Sequence, residues 1–99
     1  MEIQVQKLHL FREQEGHARA ICDVVLGGAW ALHGVRVMEG EKGPFVALPA
    51  RPESDGSYRE YAHPVTAEAR EALSKAVLGA YEKARARAHE REAAGALER

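Results

Sequence analysis

Between residues 30 and 65 the chain reads W-A-L-H-G-V-R-V-M-E-G-E-K-G-P-F-V-A-L-P-A-R-P-E-S-D-G-S-Y-R-E-Y-A-H-P-V. Gly or Pro punctuates this run every few residues, and each one restricts what the backbone can do next. Residues 30–38 predict a strand with apolar residues on both faces, as expected of an interior strand covered on each side. Gly40 and Gly43 frame a tight connection over residues 39–44, and residues 45–48 predict a fourth strand stopped by Pro49, which has no N–H for a ladder. Residues 51–57 read as an open polar loop turned by Asp55-Gly56. Residues 58–61 predict a short fifth strand. Pro64 holds His63 extended and closes the β part of the chain.

The preceding residues have the same character. Ile3 and Val5 alternate with polar residues over residues 2–12, then the phase shifts near Lys7 so that Leu8 and Leu10 take over, which predicts a bulge. A turn over 13–16 leads into a second strand over 17–26, with Ala18, Ala20, Cys22, Val24 and Leu26 on one face. Gly27-Gly28 gives a two-residue hairpin signal. After Pro64 the period changes. Thr66 is a suitable N-cap, and Glu68 and Glu71 suit the positive end of a helix dipole. Leu73, Ala76, Val77, Ala80 and Tyr81 follow helical spacing and form one apolar stripe. Beyond Tyr81 only Ala84 continues it; Arg87 and Arg91 come next on that face. The helix is therefore expected to run off the core, with residues 93–99 frayed and Gly95 as a stop. The fold class is α+β: an antiparallel meander of four to five strands followed by a long C-terminal helix. One helix covers one sheet face, so the other face and the edges favour self-association into a dimer.

Ninety-nine residues make one domain with a thin core. No apolar run approaches the roughly 18 residues that span a bilayer. The opening M-E-I-Q-V-Q-K lacks the layout of a secretory signal, so a cytoplasmic protein is expected. Lone Cys22 agrees with a reducing compartment and reads as a buried, inert thiol. Catalytic and metal patterns are missing: there is no C-x-x-C, no H-E-x-x-H and no calcium loop. His33 reads as a hydrogen-bonded, half-buried structural residue, and His63 as a fixture of the turn into the helix. Gly40 and Gly43 lie in a strand–strand turn, not at a helix N-terminus where an anion would sit. No enzyme, cofactor, metal or small-molecule substrate is expected.

The net charge of −1 means that any nucleic-acid contact must come from local patches. Residues 1–66 hold seven basic and nine acidic side chains, whereas residues 67–99 hold seven basic and six acidic. Arg51 and Arg59 flank the Asp55-Gly56 loop, and Arg70 falls in the first turns of the helix. Lys83, Arg85, Arg87 and Arg91 are opposed only by Glu90 within residues 83–91. Guanidinium groups suit phosphate oxygens, and Tyr58 and Tyr61 offer rings on which bases stack.

The elements H-G-V-R-V, then G-x-x-G-x-F-V-A-L-P, then D-G-S-Y-R-E-Y-A-H-P-V occur at fixed mutual spacing. Together with E-G-H-A-R-A-I-C-D-V-V-L before them and V-L-G-A-Y after, they resemble the stage V sporulation protein G (SpoVG, septation regulator) family. The resemblance covers about residues 1–82 and leaves 83–99 as a basic helical tail. It implies a small homodimeric α+β protein that binds DNA, and RNA as a second target, modulates gene expression and, in spore formers, is tied to asymmetric septation. Arg51 matches a basic position of the family loop. Pro52 stands where a second basic residue is usual, which shifts weight to the helix. Gly34 replaces an acidic residue usual between the histidine and the R-V pair.

The resulting expectation is a dimeric nucleic-acid-binding regulator that uses Arg51, Arg59, Arg70, Lys75, Lys83, Arg85 and Arg87, most of them on phosphates. The alternative is a regulatory module that works by binding another protein, with no direct nucleic-acid function, which the near-neutral charge favours.

Overall fold

A computed structural model describes residues 1–97, without the side chains of residues 12–15 and 92–97. The chain forms β1 (Ile3–Glu15), β2 (Ala18–Leu26), β3 (Trp30–Gly40), β4 (Gly43–Ala47), β5 (Ala50–Pro52), β6 (Tyr58–Glu60) and α1 (Ala67–Leu97). The first four strands make one antiparallel sheet in the order β1-β2-β3-β4, and β5 pairs with β6 in a separate two-stranded ribbon. Sequential order in the main sheet follows from the short Gly-containing turns between strands, since adjacent antiparallel strands need only such turns to join them. Leu26 pairs with Trp30, so that loop has three residues rather than two. Gly40 pairs with Gly43, which leaves only Glu41 and Lys42 to make the next turn. The first turn is also shorter than the sequence suggested, because Glu15 still pairs with Ala18.

The α1 stripe lies across one face of the main sheet. Leu73, Val77 and Tyr81 are buried against Ala20, Cys22, Val24, Val35, Val37 and Leu48. Burying a side chain such as Leu73 or Val77 stabilises by roughly 1.5–3 kcal/mol. Thr66 caps the helix as its sequence implies, with its Oγ1 accepting the Ala69 N–H at 3.1 Å. Gly95 does not stop the helix, which continues to Leu97. One Gly inside a helix costs only about 1 kcal/mol relative to Ala. The expectation for Glu98 and Arg99 lies outside the described residues. Among the described residues no helix is long and apolar enough to cross a membrane.

Two bulges set which side chains reach the core. In β1 the register slips between Gln6 and His9, and Lys7 is the only non-glycine with positive φ (52°) among the described residues. Ile3 and Val5 before it and Leu8 and Leu10 after it thereby pack on the same core. In β3, Val35 pairs with Cys22 but Leu32 pairs with Val24, which leaves His33 and Gly34 together opposite Asp23. Gly34 takes φ +77°, a conformation that L side chains rarely adopt. This slip corrects the expectation for His33. A straight strand would put it on the face of Val35; the bulge moves it to the other face, where its side chain is 76% exposed and its Nδ1 lies 3.1 Å from Asp23 Oδ1. The expected polar partner is present, and the expected burial is not. Among the described residues α1 is the one element that packs extensively on the main sheet, so β3 is interior in the sheet order but covered by the helix on one side only.

Candidate nucleic-acid interface

The clearest correction to the sequence reading falls where function was expected. Residues 50–52 are a strand, not part of an open loop, and the pairing of β5 with β6 sets Ala50 opposite Glu60, Arg51 opposite Arg59 and Pro52 opposite Tyr58. Proline is tolerated here because a two-stranded ribbon is all edge. The loop between them is built by short polar contacts. Asp55 Oδ1 accepts both the Ser57 N–H at 2.9 Å and the Ser57 hydroxyl at 2.6 Å. These bonds hold the Asp55 carboxyl below its ordinary pKa. Glu53 N donates to Ser57 O at 2.7 Å, and Gly56 N to Glu53 O at 3.1 Å. Tyr61 N donates to Pro49 O at 2.9 Å, which ties the base of the ribbon to the end of β4.

Directly opposed residues on neighbouring strands lie on the same face with Cβ atoms about 5 Å apart, and like charges there repel. Arg51 and Arg59 hold that relation on an exposed ribbon. One carboxylate offsets them in part: Arg59 Nε is 3.4 Å from Glu53 Oε1. That oxygen is shielded from solvent and accepts no hydrogen bond. Arg51 has no ion pair among the described residues. A phosphate oxygen set between two guanidinium groups would relieve their repulsion.

Arg51 and Arg59 are the predicted site residues that strand pairing brings together from separate elements. Arg70, Lys75, Lys83, Arg85 and Arg87 all lie exposed on α1, and the ribbon does not pack substantially on that helix. Lys75 Nζ is paired with Glu71 Oε1 at 3.1 Å, and Arg85 Nη2 with Glu82 Oε2 at 2.9 Å. Arg85 also lies over the Tyr81 ring, 5.6 Å from its centroid. Exposed pairs of this kind are worth about 0–1 kcal/mol, so both side chains stay free to exchange partners. Lys83, Arg87 and Arg91 recur every four residues, a spacing that lines them up along the last described turns. Arg36 was not singled out in the sequence. It lies between buried Val35 and Val37, so it points to the uncovered sheet face, exposed and without an ion pair among the described residues. The V-R-V alternation carried that signal, but it was masked by the expectation that both faces are covered.

The other side chains of chemical interest do not assemble. No cluster of three or more metal-ligating side chains occurs among the described residues. Cys22 is buried, and burial, helped by the neighbouring Asp23 carboxylate, pushes its thiol from the ordinary 9.0 to about 11. His63 Nδ1 lies 3.1 Å from the Pro64 carbonyl oxygen, beside the helix entry, as expected for a turn residue.

A four-stranded meander backed by one helix, with a small two-stranded ribbon that sets two arginines opposite each other, defines a small α+β domain. Residues 1–83 match the SpoVG family model, and the chain belongs to the SpoVG family. It is 46% identical over 87 residues to a protein of Heliobacterium modesticaldum, covering 88% of this chain and 93% of that one. A protein of Lachnospira eligens is 42% identical over 83 residues, covering 84% and 90% of the two chains. One from Caldanaerobacter subterraneus subsp. tengcongensis is 34% identical over 84 residues, covering 85% and 88%. All three carry the name of septation protein SpoVG.

Proposed function

We propose that this chain is a dimeric, cytoplasmic nucleic-acid-binding regulator of gene expression, acting on DNA and on RNA, in the control of septation or sporulation. The observation that carries the reading is the direct cross-strand opposition of Arg51 and Arg59 on an exposed ribbon, where Glu53, beside Arg59, is the one carboxylate within ion-pair distance among the described residues. The fold holds two like charges together where nothing in packing requires them, which suits a site completed by an anionic ligand. Residues 1–82 form the binding domain, and the 83–99 tail, through Lys83, Arg85 and Arg87, extends its cationic reach. Arg70 and Lys75 add charge near the start of the helix. A two-fold pair of chains doubles every local contact, so binding rests on these arginines and not on bulk charge, which is −1 per chain.

A second chain also suits the apolar end of the molecule. A cavity of about 350 Å³ opens between the sheet and the start of α1, lined by Ile3, Leu26, Leu32, Leu48, Val65 and Leu73. Met1, Trp30 and Val65 are among the most exposed large apolar side chains of the molecule, at 79%, 76% and 88%. Exposed apolar surface of this kind marks an interaction site. If the chain proves monomeric, that surface favours the other reading, a module that regulates by binding a different protein.

The test is equilibrium binding of a labelled duplex and a labelled single strand over a range of salt. Affinity should fall with a log–log slope of about −4 or steeper, since each neutralised duplex phosphate contributes about −0.9. A flat dependence, or no binding at low salt, contradicts the proposal.

A further inference from the structure

The ribbon has a second face, turned away from Arg51 and Arg59. There a groove of about 580 Å³ separates it from the main sheet, with Arg36, Met38 and Phe45 on one wall and Ala50, Tyr58 and Glu60 on the other. We infer that this groove is a seat for one unstacked nucleobase of a single strand; the inference rests on the nucleic-acid reading above. Tyr58 is 74% exposed and Phe45 48%, so two aromatic rings stand in water on opposite walls of one concave surface. A ring has a face that any base can stack on, and stacking of this kind is how single strands are held without regard to sequence.

The groove is partly pre-arranged. A Cβ on Gly40 would lie 3.0 Å from Phe45 Cε1, so the ring rests directly on the Gly40 backbone, two residue pairs along the hairpin from its own partner Met38. Arg36 adds a planar cation with no ion pair among the described residues. Such a group stacks on a base or meets its phosphate. Glu60 supplies a carboxylate that can accept from the exocyclic amino group of cytosine, adenine or guanine. Geometry links the groove to the arginines. Pro52↔Tyr58 is the pair next to Arg51↔Arg59, so the two faces are one residue apart along the strands, about 3.3 Å. A backbone gripped at the arginines has only to pass over the ribbon edge to bring a base against Tyr58. A duplex, whose bases are paired and stacked, has no base to offer.

The test measures anisotropy of the full-length chain with three labelled probes: a short single-stranded oligodeoxycytidine, the same strand with abasic sites, and a duplex. Tyr58→Ala should weaken oligodeoxycytidine binding by roughly 5- to 150-fold, the range for removing one aromatic–base stack. It should leave the abasic strand and the duplex unchanged. Tyr58→Phe keeps the ring and should bind like the parent chain. Phe45→Leu retains an apolar contact for Gly40, loses the ring face, and should reproduce the Tyr58→Ala pattern. If the parent chain binds the single strand and Tyr58→Ala binds it equally well, the seat is wrong and the nucleic-acid reading survives. Equal weakening on all three probes also overturns it, since Tyr58 is then part of a general surface. If the parent chain binds no probe, both fall.

Discussion

Replacing Arg51 and Arg59 together by alanine isolates the feature on which the functional reading rests. In a dimer the change removes four guanidinium groups. Each released duplex counterion contributes about −0.9 to the slope of log affinity against log salt, so four full contacts contribute about −3.6. Glu53, 3.4 Å from Arg59, already neutralises part of that residue, which brings the expected loss of slope to between about 2 and about 3.6. Over a four-fold rise in salt the parent chain should therefore lose roughly 15- to 150-fold more affinity than the variant. Stability should hardly move. Losing the Arg59–Glu53 contact removes about 0–1 kcal/mol, and relieving the cross-strand repulsion returns a similar amount. The melting temperature should stay within about 4 °C of the parent, since 1 kcal/mol shifts a domain of this size by about 4–8 °C. Fluorescence anisotropy against a labelled duplex at several salt concentrations, with thermal melts in parallel, measures both. The Arg51→Lys, Arg59→Lys variant keeps the charge and should keep the slope, while losing affinity through loss of the planar fork. A double alanine variant that binds with the parent's affinity and slope refutes the reasoning, and one that unfolds makes these arginines structural.

Three further outcomes follow from the geometry. At Gly34 a Cβ would meet only Pro49 Cβ at 3.9 Å, so φ +77° and not crowding selects glycine; Gly34→Ala should destabilise by about 1–2 kcal/mol and Gly34→Asn by clearly less in chemical denaturation, and equal losses would refute a purely conformational cause. Trp30→Glu should weaken self-association by about 30-fold or more, as for a residue central to an interface, measured by sedimentation; an unchanged dimer would place the interface elsewhere. Cys22, with its thiol pushed up to about 11, should react about 100-fold more slowly than a free thiol with an aromatic disulfide at mildly alkaline pH. Because this pKa is raised on folding, its contribution to stability is complete below about 9 and is lost as pH rises from 9 to about 11; a fast-reacting native thiol, or no decline in stability across that window, would contradict it.

Much of the scaffold is legible in the sequence because local signals agree with it. The phase shift at Lys7 announces its bulge, Thr66 announces the helix start, and the Leu73–Val77–Tyr81 stripe announces the packed face. Other features depend on information that neighbouring residues do not hold. Gly34 gave no sign of its bulge, since a lone Gly between His and Val is compatible with an unbroken strand; only the flanking pairs Cys22↔Val35 and Val24↔Leu32 reveal the slip. Residues 50–52 lacked both length and alternation, and Pro52 argued against a strand, so the ribbon could not be read. Arg51 and Arg59 were each named for phosphate, but eight residues apart in sequence nothing made them cross-strand partners. Arg36 and Phe45 were missed for a related reason: whether an alternating residue faces a covered or an open side is decided by where the single helix lies, not by the strand itself.

Sedimentation of the purified chain, alone and with a labelled duplex, bears most directly on the central claim. The account predicts two chains in the free species and two chains on each short duplex, with the complex dissociating as salt rises. A chain that sediments as a monomer at every concentration, and leaves the duplex free at low salt, would contradict it.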